Sequence, residues 1–222
     1  MTWDPLWLSY QVAALATLLA LVLGVGLATV LARRRLPGRE LIDALITIPM
    51  VLPPTVIGFY LLTALGKESW IGGLYESIFG TRLLFTFEAC VIAAFLAALP
   101  LVVKSARTAL EGVDPTLEQA ARTLGAGPVR VFFTVTLPLA SRGIVAGVVL
   151  GFARALGEFG VTVMIAGNIP GETQTASLYV YDRIIANQDA EAYGMVAVLT
   201  ATALGALWSV NRLNRSRGVA RV

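Results

Sequence analysis

From Pro5 to Ala32 the chain runs for 28 residues without one charge. About 20 apolar residues in an α-helix cross the hydrocarbon of a bilayer. Three further runs meet that length. Ala44 to Gly66 gives 23 uncharged residues, Leu83 to Val103 gives 21 broken only by Glu88, and Ala192 to Asn211 gives 20. Runs of this kind define an all-α membrane protein before any motif is read.

Composition agrees. Only 14% of the 222 residues are charged and 57% are hydrophobic, where a soluble domain carries roughly 25% charged residues. The chain has no histidine, which removes imidazole metal ligands and histidine-based triads. Cys90 is the single cysteine, so neither a disulfide framework nor a thiolate metal cluster is available. No cofactor or metal site is expected. The opening "MTWDPLWLSYQ" has no basic n-region, and the first run reads as a retained membrane helix.

A fifth span is expected over Leu139 to about Ile165, although it contains Arg142, Arg154 and Glu158. Arg142 lies near one end, where its side chain can reach the interface. A break at "GEFG" (157–160) would divide this span and make six. With five spans and the N-terminus outside, the inner segments hold Arg33, Arg34, Arg35, Arg39, Lys104, Arg107, Arg122, Arg130, Arg212, Arg215, Arg217 and Arg221. The outer segments hold only Lys67, Arg82 and Arg183. Basic residues concentrate on the cytoplasmic side of membrane proteins, so the segment after the third span and the C-terminus are expected inside. The same arginines anchor to anionic membrane lipid. No nucleic acid partner is expected.

The second run carries three prolines, Pro49, Pro53 and Pro54. They kink a helix and free backbone carbonyls, which membrane proteins tolerate where the backbone is buried in protein or lines a polar cavity. Pro53 and Pro54 are therefore candidates for a pathway-lining or gating helix, with a packing kink as the alternative. Trp3, Trp7, Tyr10 and Trp208 read as interfacial belt residues.

One polar segment interrupts the apolar chain. After the third span it reads "KSARTALEGVDPTLEQAARTLGAGPVRVFFTVTLP" (104–138). Asp114 or Thr116 can cap a helix, Pro115 suits its first turn, and Gly125 suits its end. Leu117, Ala120, Ala121 and Leu124 share one face at helical spacing. A short two-sided helix of this kind either lies flat on the membrane interface or docks in a partner's groove.

The segment resembles the cytoplasmic EAA motif of type I ABC-importer permeases: E-A-A, three residues, G, nine residues, I-x-L-P. Here Gln119, Ala120 and Ala121 are followed by Gly125 and by Val135-Thr136-Leu137-Pro138. Gln119 replaces the motif's Glu and Val135 its Ile. Glu118 is adjacent. A second stretch, "GFARALGEFGVTVMIAGNIPGETQTASLYVY" (151–181), looks like the permeases of oxyanion importers, closest to the molybdate branch. Sulfate or thiosulfate permeases are the alternative. The resemblance covers nearly the whole chain and implies one type-1 transmembrane domain over 1–222. Its core is about 8–211, its coupling loop about 104–138 and its basic tail 212–222.

That family likeness implies a homodimer in the bacterial or archaeal cell membrane. It further implies cytoplasmic ABC ATPase subunits gripping the coupling helix through Glu118, Gln119, Ala120, Ala121, Arg122 and Gly125. An external substrate-binding protein would deliver an oxyanion, molybdate or tungstate. The sequence contains no G-x-x-x-x-G-K-[ST] phosphate cradle, so the chain is not expected to be an enzyme and a partner supplies ATP hydrolysis.

Gly143, Gly147, Gly151 and Ala155 form a small-residue face, with Arg154 and Glu158 expected in the same arc and paired one turn apart. That pair is either a gate or pathway pair, or a structural ion pair that positions the two halves of the dimer. A self-contained secondary transporter would need two homologous halves, and no internal repeat is seen. An intramembrane hydrolase would need a Ser–His, Ser–Lys or paired-Asp site, and no aspartate lies inside a span.

Overall fold

The computed structural model describes residues 3–32 and 37–215, with side chains to 212. Every regular element among the described residues is helical. The long helices are α1 (Asp4–Leu31), α5 (Phe87–Glu111), α8 (Leu137–Leu156) and α11 (Asp189–Arg215). Shorter ones lie between them: α2 (Arg39–Val51), α3 (Pro54–Leu65), α4 (Trp70–Phe79), α6 (Pro115–Thr123), α7 (Pro128–Val131), α9 (Gly160–Ile165) and α10 (Ala176–Ile185).

Among the described residues, four continuous helices are long and apolar enough to cross a membrane: α1, α5, Pro128–Leu156 and α11. The expected second span, Ala44–Gly66, is not one helix. It is the pair α2 and α3, bent by 111° at Leu52–Pro53, so a fifth crossing exists only as a broken one. The cause is local. A residue before proline is driven from helical to extended backbone. Leu52 precedes Pro53 (ψ 144°) and Pro53 precedes Pro54 (ψ 138°), so two successive extended residues turn the chain. Pro54 then opens α3 at a position where a missing N–H leaves no orphan.

The expected span over 139–165 also differs. Its helix begins at Pro128 and ends at Leu156, and α9 follows as a separate short helix after a break at Gly157–Phe159. Arg142 is therefore mid-helix, not near an end. It still lies level with the charged end of α5, because Gly147, just beyond it, packs on Ser105 one residue past Lys104.

α5 is the central helix. Its small residues Ala89, Ala93, Ala94 and Ala98 are buried with Val12, Ala13, Ala16 and Ala20 of α1. Nearer the other end, Val103, Ala106 and Leu110 meet Ala28 and Leu31 of α1 and Ala140 and Ile144 of α8. α1 and α5 thus run parallel and α8 runs against them. Small residues let these backbones approach closely. A Cβ on Gly151 would sit 2.8 Å from Val102 Cγ2. The small-residue face of α8 is thereby occupied within the chain, by α5. Tyr10 is half-buried, hydrogen-bonded to Thr202 Oγ1 at 2.6 Å and stacked on Phe152, so it joins α1 to α11 and is more than a belt residue.

Candidate functional site

At the end of the bundle shared by the C-termini of α1 and α5, the chain leaves the core as α6. Asp114 is its cap: the Thr116 N–H donates to Oδ1 at 2.9 Å. That hydrogen bond holds the Asp114 carboxyl below its ordinary range. Helical backbone runs to Thr123, and Gly125 then takes a left-handed φ of 84°, a conformation glycine adopts without penalty.

No α6 residue is buried. The apolar stripe expected from the sequence turns away from the protein: Leu117 and Ala120 are exposed, Ala121 is half-covered, and Leu124 is 89% exposed. Gln119 and Arg122 are exposed too. Glu118 points the other way. Its Oε1 accepts from Thr136 Oγ1 at 2.7 Å and its Oε2 from Arg122 at 3.4 Å. Glu118 is thus tied inward and does not stand free in place of the motif's Glu. Behind α6 lies a cavity of about 1240 Å³, bordered by Thr29, Arg39, Glu111, Glu118, Arg122 and Phe132.

Thr136 closes a π-turn, Phe132–Thr136, that joins α7 to α8. The Leu137 N–H reaches back five residues to the Phe132 carbonyl. Pro138 accounts for it. In a regular helix a proline ring clashes with the carbonyl four residues back and offers no N–H. A widened turn just before it relieves that conflict. The Leu-Pro pair of the motif therefore sets the backbone that aims Thr136.

A charge network clasps α2 to α5 at the same end. Arg107 bonds Asp43 at 2.9 Å and Glu111 at 3.0 Å, and Arg39 also pairs with Glu111. None of these pairs was read from the sequence. Asp43, Thr136, Gly58, Gly160 and Met164 were not singled out there.

Toward the opposite end the two chain breaks face each other. α3 packs along α9, with Pro54 against Gly160 and Met164 against Gly58. Pro53 and Pro54 thus sit at one side of a joint whose other side is the α8–α9 break. Arg154, in the last turn of α8, and Glu158, inside that break, pair at 2.8 Å, as expected. They do not share the close-packed face. The Arg154 side chain is 44% exposed, whereas Glu158 is 4% exposed and lies past the end of α8. Glu158 Oε1 also accepts the Val161 N–H at 2.9 Å, and its carbonyl accepts from Ser177 Oγ at 2.8 Å. Both oxygens of the buried carboxylate are therefore satisfied. A neighbouring link, the Ala176 N–H to Ser9 Oγ at 2.7 Å, ties α10 to α1. Among the described residues no group of acidic, cysteine or histidine side chains suits a metal ion.

Residues 12–216 match the model of the family described as binding-protein-dependent transport system inner membrane component. The chain belongs to that family: it is a multi-pass permease component of an ABC transport system. It is 48% identical over 182 residues to the molybdenum transport system permease protein ModB of Escherichia coli K12, covering 82% of this chain and 80% of that one. ModB of Azotobacter vinelandii is 40% identical, covering 92% of each. The sulfate transport system permease protein CysT of Salmonella typhimurium is 34% identical, covering 98% of this chain and 83% of its own. Among solved structures, an inward-facing MetNI methionine ABC transporter shares the fold with a TM-score of 0.71 at 17% identity, covering 96% and 94%.

Proposed function

We propose that this chain is the membrane-spanning subunit of an ATP-driven molybdate importer, working as a homodimer. A cytoplasmic ATPase pair grips α6, and an external binding protein delivers the anion. The observation that carries the reading is α6 itself. A helix with the permease motif's spacing stands off the bundle with Leu117, Ala120 and Leu124 exposed. It does so at the end that carries Arg39, Lys104, Arg107 and Arg130, and that concentration of basic residues supports a cytoplasmic placement. The N-terminus is then outside. Identity to the molybdenum permeases, higher than to the sulfate permease, favours molybdate.

In this reading Leu117, Gln119, Ala120, Ala121, Leu124 and Gly125 form the surface the ATPase takes, with Arg122 at its edge. ATP-driven closure of the ATPases displaces α6 and reorients the spans. The joint of the two breaks, with Pro53, Pro54, Arg154 and Glu158, is where the transport path opens and closes. Arg154 presents a cation at that joint, and the Glu158 charge beside it is already paired. Pairing lowers the repulsion a lone carboxylate would impose on a dianion.

The test is ATP hydrolysis by the complex reconstituted in lipid with its ATPase and binding protein. Molybdate-loaded binding protein stimulates hydrolysis, while sulfate-loaded protein leaves it at the basal rate. Equal stimulation by sulfate assigns the chain to the sulfate branch instead.

A further inference from the structure

We infer that the hydrogen bond from Thr136 to Glu118 is the linkage that passes displacement of α6 into the long helix α8. Glu118 and Thr136 are then positioning residues for transport, distinct from the surface that holds the ATPase. The inference rests on α6 being the ATPase-docking helix.

α6 has almost nothing else to push against. None of its residues is buried, and open cavity lies behind it on the side of α1, α2 and α5. Its main packing partners are α7 and the π-turn, and Leu117 also borders a cleft with Ala109 of α5 and Leu139 of α8. A helix without an apolar anchor transmits force through its polar ones. Glu118 supplies that anchor, with a charged acceptor on a short 2.7 Å bond. Hydrogen bonds to ionised groups are about twice as strong as neutral ones.

Thr136 behaves differently from five other helical threonines. Thr29, Thr47, Thr63, Thr134 and Thr202 each donate to the carbonyl one turn back in their own helix, the ordinary behaviour of threonine in membrane helices. Thr136 instead donates outward to α6, although it is only 8% exposed. The π-turn that Pro138 imposes places it so, and π-turns recur at functional positions in helices. Beyond Thr136, α8 runs 20 unbroken residues to Leu156, about 30 Å of stiff helix. It ends at the Arg154–Glu158 pair and the break. One end of the rod is thus bonded to the docking helix and the other ends at the joint with α3.

Three variants in the reconstituted complex test this. Thr136→Val removes the hydroxyl at constant shape, Thr136→Ser restores it, and Glu118→Ala removes the acceptor. ATPase retention, ATP hydrolysis and molybdate uptake are read separately. The expected result is that Thr136→Val and Glu118→Ala keep the ATPase bound and hydrolysing. Uptake per ATP falls about tenfold in both, the effect of losing one charge-assisted hydrogen bond, and Thr136→Ser recovers it. Unchanged uptake per ATP in Thr136→Val overturns the inference. So does loss of the ATPase in Glu118→Ala, which would place Glu118 in the docking surface. If the unmodified chain holds no ATPase, the docking reading of α6 fails, and that result is distinct from either.

Discussion

Pro54 stands so close to Gly160 that a Cβ on the glycine would lie 2.5 Å from the Pro54 Cβ. Four residues on, Gly58 meets Met164 in the same way, at 2.6 Å. The bend between α2 and α3 and the break between α8 and α9 are therefore packed into one joint. It has no room for even a methyl group at either glycine.

That contact makes Gly58 and Gly160 sensitive positions. Overpacking a filled interface typically costs about 1–3 kcal/mol. Gly160→Ala and Gly58→Val are expected to lower the melting temperature of the purified protein in detergent. Melting curves unchanged in both variants would mean that α3 does not lie on α9 as described.

The α5–α8 interface is predicted to be more sensitive still. Gly147 and Gly151 press on Ser105 and Val102 at the centre of the bundle, where both neighbours are backbone-close. Gly151→Leu should abolish recovery of folded protein by size-exclusion chromatography, while Gly26→Leu, with nothing near its missing Cβ, should leave it intact.

At α6 stability and assembly should separate. Leu124 is 89% exposed, and exposed substitutions usually stay within about 0.5 kcal/mol. Leu124→Asp is expected to melt like the unmodified protein and yet lose the ATPase that co-purifies with it. Retention of the ATPase by Leu124→Asp, or by a chain lacking 116–127, removes α6 from the contact.

The Arg154–Glu158 pair is asymmetric, one side exposed and one buried. Arg154→Ala leaves the buried Glu158 carboxylate with only the Val161 N–H and is expected to lower the melting temperature. Arg154→Met combined with Glu158→Gln removes both charges and should recover most of the stability. Uptake by that double variant then reports on transport alone. Normal uptake would exclude Arg154 from the path, and loss of uptake in a stable protein would place it there.

Much of this was legible in the sequence. Uncharged length gave the long helices, because hydrocarbon thickness leaves little choice. Asp114, Pro115 and Gly125 gave α6, because caps act locally. The prolines at 53 and 54 announced a kink, but not that two extended residues in series would turn the chain by 111°. The start of Pro128–Leu156 was missed because Arg130 and Pro138 interrupt an otherwise apolar stretch, Val129 to Val135, and so hide its continuity with the span. Thr136 was invisible for another reason. Its role depends on the π-turn and on α6 lying across from it, and neither follows from spacing. The face of Gly147 and Gly151 was correctly read as close-packed. Its partner is α5, a contact set by tertiary structure alone.

Uptake of labelled oxyanions tests the central claim most directly. Proteoliposomes carrying the permease, its ATPase and its binding protein are given labelled molybdate, tungstate or sulfate with and without internal ATP at the ATPase face. ATP-dependent accumulation of molybdate, undiminished by excess unlabelled sulfate, is the expected result. Accumulation without ATP, or sulfate uptake that outpaces molybdate, would contradict it.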